Sequence, residues 1–271
     1  MTHSLSSPPV PAVFAGFAAT RFILVEPSHP GNVGAAARAL KTMGFTRLVL
    51  VAPRVSGVLA EPEALAMASG ATDVLAAAQV VPTLAEALAG VQWSMALTAR
   101  SREYGPPQLT PKTAALEACT HAAQGEMALV FGNERTGLSN EDVERCSVRA
   151  HIPANPAYSS LNLAQAVQVL AYELRAAFSS ASAAAGSPLL SSLPASVGSA
   201  WAASDDIERM YVHLEQALIA LAFLDPGHPK KLMSRLRQLF ARSGLEAEEV
   251  NIVRGIAKHI LLKTKPPGAE G

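Results

Sequence analysis

Short, nearly continuous apolar runs alternating with alanine-rich amphipathic ones predict an α/β fold for this chain of 271 residues: a mainly parallel sheet with helices on both faces, followed by a small C-terminal helical domain. The apolar runs span only five to seven residues and are bounded by turn residues, as strands buried on both faces require. The segments between them carry helix caps and a 3.6-residue apolar spacing, and strand–helix alternation is the pattern of parallel sheets. After residue 178 the pattern changes to an uncharged Ser, Ala, Gly and Pro stretch and then to helical periodicity alone.

In chain order, the strand candidates are "FILVE", "RLVLVA", "WSMALTA", "EMALVF" and "VRAHI". Helices are predicted over 33–43, closed by Gly44; over 62–69; over 83–88; and over 111–123, with Thr110 as cap and Pro111 at the first position. Ser139 and Asp142 form a capping box that opens a further helix. A long helix ends near Phe178, its Leu163, Val167, Leu170, Leu174 and Phe178 recurring at core spacing. Three more helical segments fill the tail, with caps or breakers at Ser204, Pro226, Gly227 and Gly244. The predicted domains are a flexible tail over 1–18, an α/β domain over 19–178, a flexible linker over 179–203 and a basic helical domain over 204–265.

Composition narrows the class. Hydrophobic residues make up 49% and charged residues 16%, which is globular. No apolar run reaches the roughly 18 residues needed to span a bilayer, and no lysine or arginine stands before the apolar "VPAVFAGFAA", so a cytoplasmic location without membrane contact is expected. Cys119 and Cys146 lack metal-like spacing, and no His/Cys/Glu cluster is spaced for a metal. The net charge is zero, yet from His228 onward Lys230, Lys231, Arg235, Arg237, Arg242, Arg254, Lys258, Lys263 and Lys265 face only Glu246, Glu248, Glu249 and Glu270. One end of the chain is basic, as a phosphate-binding surface requires.

Three segments share one plan, a buried strand, then a polar loop, then a helix: "HPGNVGAAARAL", "LVFGNERTGLSNED" and "IPANPAYSSLNLAQAVQVL". Loops at the carboxyl ends of parallel strands gather on one edge, where such sheets bind ligands. The usual dinucleotide and nucleoside-triphosphate glycine loops are missing, as is the G-x-S-x-G nucleophile turn. On spacing alone Arg38 lies off the buried stripe of Val33, Ala36, Ala37 and Leu40 and reads as a solvated cation, Glu134 as a loop carboxylate, and Ser160 and Asn162 as helix caps.

Together and in this order, the three segments resemble the motifs of the SpoU (SPOUT) class of RNA ribose 2′-O-methyltransferases. With "LTARSR" at 97–102, they are most similar to the type that methylates the tRNA anticodon loop. The resemblance implies S-adenosylmethionine as methyl donor without a metal, tRNA as substrate, a homodimer and a C-terminal trefoil knot in the α/β domain. By residue-to-residue matching it implies catalytic roles for Asn32, Arg38, Glu134, Ser160 and Asn162. Methyl-donor contacts fall on Leu97, Thr98, Ala99, Gly132, Ile152, Ser159, Ser160 and Leu161, and RNA contacts are assigned to Arg38 and to Lys230, Lys231, Arg235 and Arg237 of the tail. The expected product is 2′-O-methylated cytidine or uridine at anticodon-loop position 32. The alternatives are a ribosomal-RNA enzyme of the same class or a non-catalytic RNA-binding module. A guanidinium stays protonated at working pH, so Arg38 is expected to bind the phosphate beside the target ribose, and a phosphate oxygen, or Ser160 in a relay, to take the hydroxyl proton. Glu134 and Asn162 are expected to orient Arg38 and the loop that holds the methyl donor.

Overall fold

The computed structural model describes residues 16–99, 105–122, 124–185 and 201–264. Seven strands, β1 (Thr20–Val25), β2 (Arg47–Val51), β3 (Gln79–Val81), β4 (Val91–Leu97), β5 (Gln108–Leu109), β6 (Glu126–Phe131) and β7 (Val148–Ala150), form one sheet in the order β3-β2-β1-β6-β4-β7-β5. All of its pairings are parallel, so the carboxyl ends of β1, β4, β6 and β7 lie along one edge. β3 and β5 escaped the sequence reading because runs of three and two residues carry no period; pairing with Val49–Val51 and with β7 defines them.

The sheet is buried on both sides, which explains its unbroken apolar strands. Phe22 and Leu24 point into one core with Phe45, Phe131 and Phe178, while Ile23 and Val25 point into the other with Val49, Val51, Ala128 and Val130. The helices are α1 (Gly16–Ala19), α2 (Pro30–Met43), α3 (Pro62–Ala68), α4 (Thr72–Ala76), α5 (Leu84–Ala87), α6 (Pro111–Ala122), α7 (Asn140–Glu144) and α8 (Leu163–Ala185). α2 ends where Gly44 takes a left-handed conformation (φ 84°), its N–H reaching Lys41 O at 3.1 Å. Its flank lies so near α3 that a Cβ on Gly34 would stand 2.0 Å from the Ala64 carbonyl oxygen. α7 is opened by the predicted capping box, Ser139 Oγ accepting from Asp142 N and Asp142 accepting from Ser139 N.

Two predicted boundaries move. The tail over 1–18 ends earlier, because α1 starts at Gly16 and Phe17 packs edge-on to Phe178 at 5.3 Å and against Phe45 at 5.1 Å. The linker over 179–203 is shorter at both ends, because α8 continues to Ala185 and because Trp201 and Ala202 already belong to the C-terminal unit. Residues 1–15 and 186–200 of those two segments lie outside the described residues, as do Arg100 to Arg102 of "LTARSR" and Lys265.

The C-terminal unit contains α9 (Ser204–Ala220), α10 (Leu232–Ser243) and α11 (Ala247–Thr264), closed over Ala202, Met210, Tyr211, Leu245 and Val250. It docks at the amino end of β4: Trp201 meets His121 edge-on at 5.2 Å, His121 stacks on Trp93, and Arg145 reaches Glu208 at 3.5 Å. The sheet therefore has two occupied ends, with the three motif loops at one and the basic helices at the other.

Candidate active site

Each motif loop leaves the carboxyl end of a strand. The loop after β1 reaches the start of α2, with Pro30 at the first helical position, where its missing N–H costs nothing, and with Asn32 one turn into the helix. The loop after β6 is folded by Asn133, whose Oδ1 accepts from Arg135 N at 3.1 Å, Thr136 N at 2.9 Å and Thr136 Oγ1 at 3.0 Å. Gly132 is required there, since a Cβ would lie 2.1 Å from Gly137 C and 2.2 Å from Leu138 N. The loop after β7 ends at Asn162, whose Oδ1 accepts from Ala164 N at 2.9 Å and so caps α8.

One polar relay ties the three loops together. Asn162 Nδ2 donates to Asn32 Oδ1 at 2.9 Å, and Asn32 Nδ2 donates to Glu134 Oε1 at 2.8 Å. Glu134 also accepts from His29 N at 3.3 Å and, on Oε2, from Ser28 N at 3.0 Å and Ser28 Oγ at 2.7 Å. Burial pulls the Glu134 carboxyl upward, but the hydrogen bonds from Asn32 and Ser28 outweigh it and hold the group below its ordinary value. Glu134 is thus an anion at neutral pH with both oxygens engaged.

Arg38 stands apart. It is exposed, with Lys41 and Thr42, on a helix whose other face is core, and among the described residues no carboxylate pairs with its guanidinium. The expectation that Glu134 and Asn162 orient Arg38 is corrected: Glu134 holds Asn32 and the Ser28–His29 backbone, and Asn162 holds Asn32, because those groups lie at the relay's end of α2. Ser28 was missed by the sequence reading, since its two bonds join residues 106 positions apart and only its place at the end of a strand marked it.

Beside the relay lies a cavity of about 180 Å³. Leu97, Thr98, Ala99, Gly132, Ile152, Ser159, Ser160 and Leu161 all line it, together with Phe131 and Glu134. His151 helps to shape its rim, Nδ1 donating to Thr98 O at 3.1 Å and so tying the end of β7 to the end of β4. Its aliphatic walls suit an apolar ring system, and the hydroxyls of Thr98, Ser159 and Ser160 suit polar substituents, while Glu134 and Arg135 line it with opposite charges. No group of His, Cys, Asp and Glu among the described residues is arranged to hold a metal.

In the tail, Lys230, Lys231 and Arg235 are exposed. Arg237 is not available as predicted: it grips Glu208 with both terminal nitrogens at 2.6 and 2.8 Å and lies over the Tyr211 ring at 4.2 Å. It is a staple of the C-terminal unit, removed from the RNA-facing set because its fork is already matched by a carboxylate.

Polar loops tied together at the carboxyl edge of a parallel α/β sheet, beside a cavity, define the candidate site. Residues 19–172 match the SpoU rRNA Methylase family, and the chain belongs to that family, whose methyl donor is S-adenosylmethionine. Residues 205–269 match the C-terminal domain described for the tRNA methyltransferase TrmJ. The tRNA (cytidine/uridine-2′-O-)-methyltransferase TrmJ of Yersinia enterocolitica is 46% identical to this chain, covering 93% of it and 95% of that protein. The tRNA (cytidine/uridine/adenosine-2′-O-)-methyltransferase TrmJ of Pseudomonas aeruginosa is 46% identical over 87% of this chain and 91% of its own length. The crystal structure of TrmJ from Z. mobilis matches with a TM-score of 0.74 at 33% identity, covering 89% of this chain and 99% of that one.

Proposed function

We propose that this chain transfers a methyl group from S-adenosylmethionine to the ribose 2′-hydroxyl of cytidine or uridine at anticodon-loop position 32 of tRNA, working as a cytoplasmic homodimer. The observation that carries the reading is the relay from Asn162 through Asn32 to Glu134, which joins the three motif loops beside a cavity lined by the eight positions assigned to the methyl donor. The names of the relatives, similar along nearly the whole chain, support the tRNA substrate over a ribosomal one.

When bound, S-adenosylmethionine supplies an electrophilic methyl group on a cationic sulfur. The protein has to place a ribose hydroxyl in line with it and find a destination for the hydroxyl proton. Leu97, Ile152 and Leu161 would hold the apolar part of the methyl donor, and Thr98, Ser159 and Ser160 would meet its polar groups. Arg38, without a carboxylate partner among the described residues, binds the phosphate next to the target ribose and stabilises charge developing on the attacking oxygen. The proton leaves to that phosphate oxygen, directly or relayed through Ser160. Residues 19–178 act as the catalytic domain, carrying the trefoil knot of the class, and 204–265 as an RNA-binding domain through Lys230, Lys231 and Arg235.

The test is incubation with radiolabelled S-adenosylmethionine and total RNA, followed by mapping of the modified nucleoside. Label in 2′-O-methylcytidine or 2′-O-methyluridine of the tRNA anticodon loop is expected. Label confined to ribosomal RNA would move the assignment to the alternative enzyme, and donor binding without any labelled RNA would leave a non-catalytic module.

A further inference from the structure

We propose that Tyr158 is the platform on which the base of the target nucleotide stacks; the inference rests on the RNA-methylation reading above. Tyr158 is 80% exposed, the most exposed large hydrophobic side chain among the described residues. Packing a tyrosine ring removes roughly 150–250 Å² from water, so an open ring leaves an area of that order available to a stacking partner. The backbone beneath it is fixed: Tyr158 N donates to Asn155 O at 2.9 Å, Ala157 N donates to Asn155 Oδ1 at 3.0 Å, and Asn162 anchors the end of the loop to Asn32. The ring is therefore offered from a held turn.

Its position points to the ligand. The next two residues, Ser159 and Ser160, line the methyl-donor cavity, whereas the aromatic within that cavity, Phe131, is buried in the core. A ribose placed for methylation lies over the cavity, and its base is one sugar ring away, lifted from its neighbours in a single-stranded loop. Unstacked bases in single-stranded RNA are held chiefly by aromatic faces, which accept every base because each has a π-face. A platform of this kind reads no hydrogen-bonding edge, in keeping with relatives named for cytidine and uridine in one case and for adenosine as well in another.

The experiment compares wild type, Tyr158→Phe and Tyr158→Ala in methyl transfer to a tRNA transcript and to the same transcript made abasic at the target nucleotide. Donor affinity is measured by calorimetry and mass by sedimentation. Tyr158→Ala should lower kcat/KM for the intact tRNA roughly 5- to 150-fold, the loss of one base–aromatic stack. Tyr158→Phe should stay within about threefold, and the abasic substrate should be insensitive to the alanine change. Donor affinity and mass should not move. An unchanged kcat/KM in Tyr158→Ala overturns the proposal, as does a loss accompanied by weaker donor binding or by a change in mass, which would assign the ring to loop structure or to a second copy of the chain. Absence of activity in the wild type refutes the functional reading itself, so the two failures are distinguishable.

Discussion

Glu134→Gln tests the relay most directly, because it keeps the size of the side chain and changes only which atoms donate and accept. All contacts now run one way: Asn162 Nδ2 to Asn32 Oδ1, Asn32 Nδ2 to Glu134, with Asn162 Oδ1 left to accept from Ala164 N. A carboxylate accepts on both oxygens, whereas a glutamine amide offers one oxygen and one NH₂. With the NH₂ toward Ser28, the serine hydroxyl can turn to accept, but the Ser28 N–H cannot. With it toward Asn32, the His29 N–H loses its acceptor, and Asn32 and then Asn162 must flip until a donor also faces the Ala164 N–H that opens α8. In either orientation at least one backbone N–H loses its acceptor and the remaining bonds lose their charge. An unmet N–H costs about 1–3 kcal/mol, and with the site half open to water the lower part of that range applies, about 1–2 kcal/mol. For a domain of this size that is a fall in Tm of roughly 2–8 °C. Because the loop carrying Ser160 and the helix carrying Arg38 lose their alignment, kcat should fall about 10- to 100-fold. Scanning calorimetry and steady-state methyl transfer read both quantities. The acid limb gives a third readout: with the Glu134 carboxyl held below its ordinary 4.5, its stabilisation is complete above about pH 4.5 and disappears as pH falls through the lowered folded value. Glu134→Gln should lack that component. A Tm within 1 °C of wild type together with kcat within about twofold would refute the relay as the latch of the site.

Further outcomes follow from the geometry. Arg38→Lys keeps the charge and loses the two-pronged fork, so kcat should drop at least about 10-fold with methyl-donor affinity unchanged; near-native turnover would exclude a bidentate phosphate contact. Gly132→Ala forces a Cβ onto the Gly137–Leu138 backbone, a strain of about 1–3 kcal/mol that should weaken donor binding roughly 5- to 150-fold by calorimetry. Arg237→Ala should destabilise the C-terminal unit by about 2–3 kcal/mol without altering the salt dependence of tRNA binding, whereas Lys230→Ala should reduce the magnitude of that log–log slope by about 1 and leave stability unchanged. In a double-mutant cycle Asn32→Ala and Asn162→Ala should be non-additive by about 0.5–3 kcal/mol, since each removes the other's partner.

The architecture was legible where residue patterns are local. Continuous apolar strands, the Gly44 stop, the Ser139–Asp142 capping box and the core stripe of α8 all rest on neighbours within one or two turns. The strand-end rule also gathered the three loops before any contact was known. What local pattern could not carry was pairing over long separations. Short β3 and β5 exist because partners hold them, and Ser28 becomes part of the site only when Glu134 is folded against it. Arg237 shows the converse. By charge count it belongs with Lys230 and Arg235, but a bidentate carboxylate on α9 turns it inward, and nothing in the spacing of the basic residues distinguishes it from the exposed ones.

The relay also limits what its charged members can do. A general base needs a free lone pair and an affinity for protons near the working pH. Glu134 has neither: its oxygens accept from Ser28, His29 and Asn32, and those same bonds lower its proton affinity. Arg38 has no lone pair to offer, since a guanidinium stays protonated at working pH. Yet the reaction makes little demand on either. A sulfonium and a developing alkoxide carry opposite charges that cancel as the methyl group moves, so the transition state needs alignment and exclusion of water more than a strong field. An apolar cavity wall meets that need. So does an anion spent on holding three loops in register.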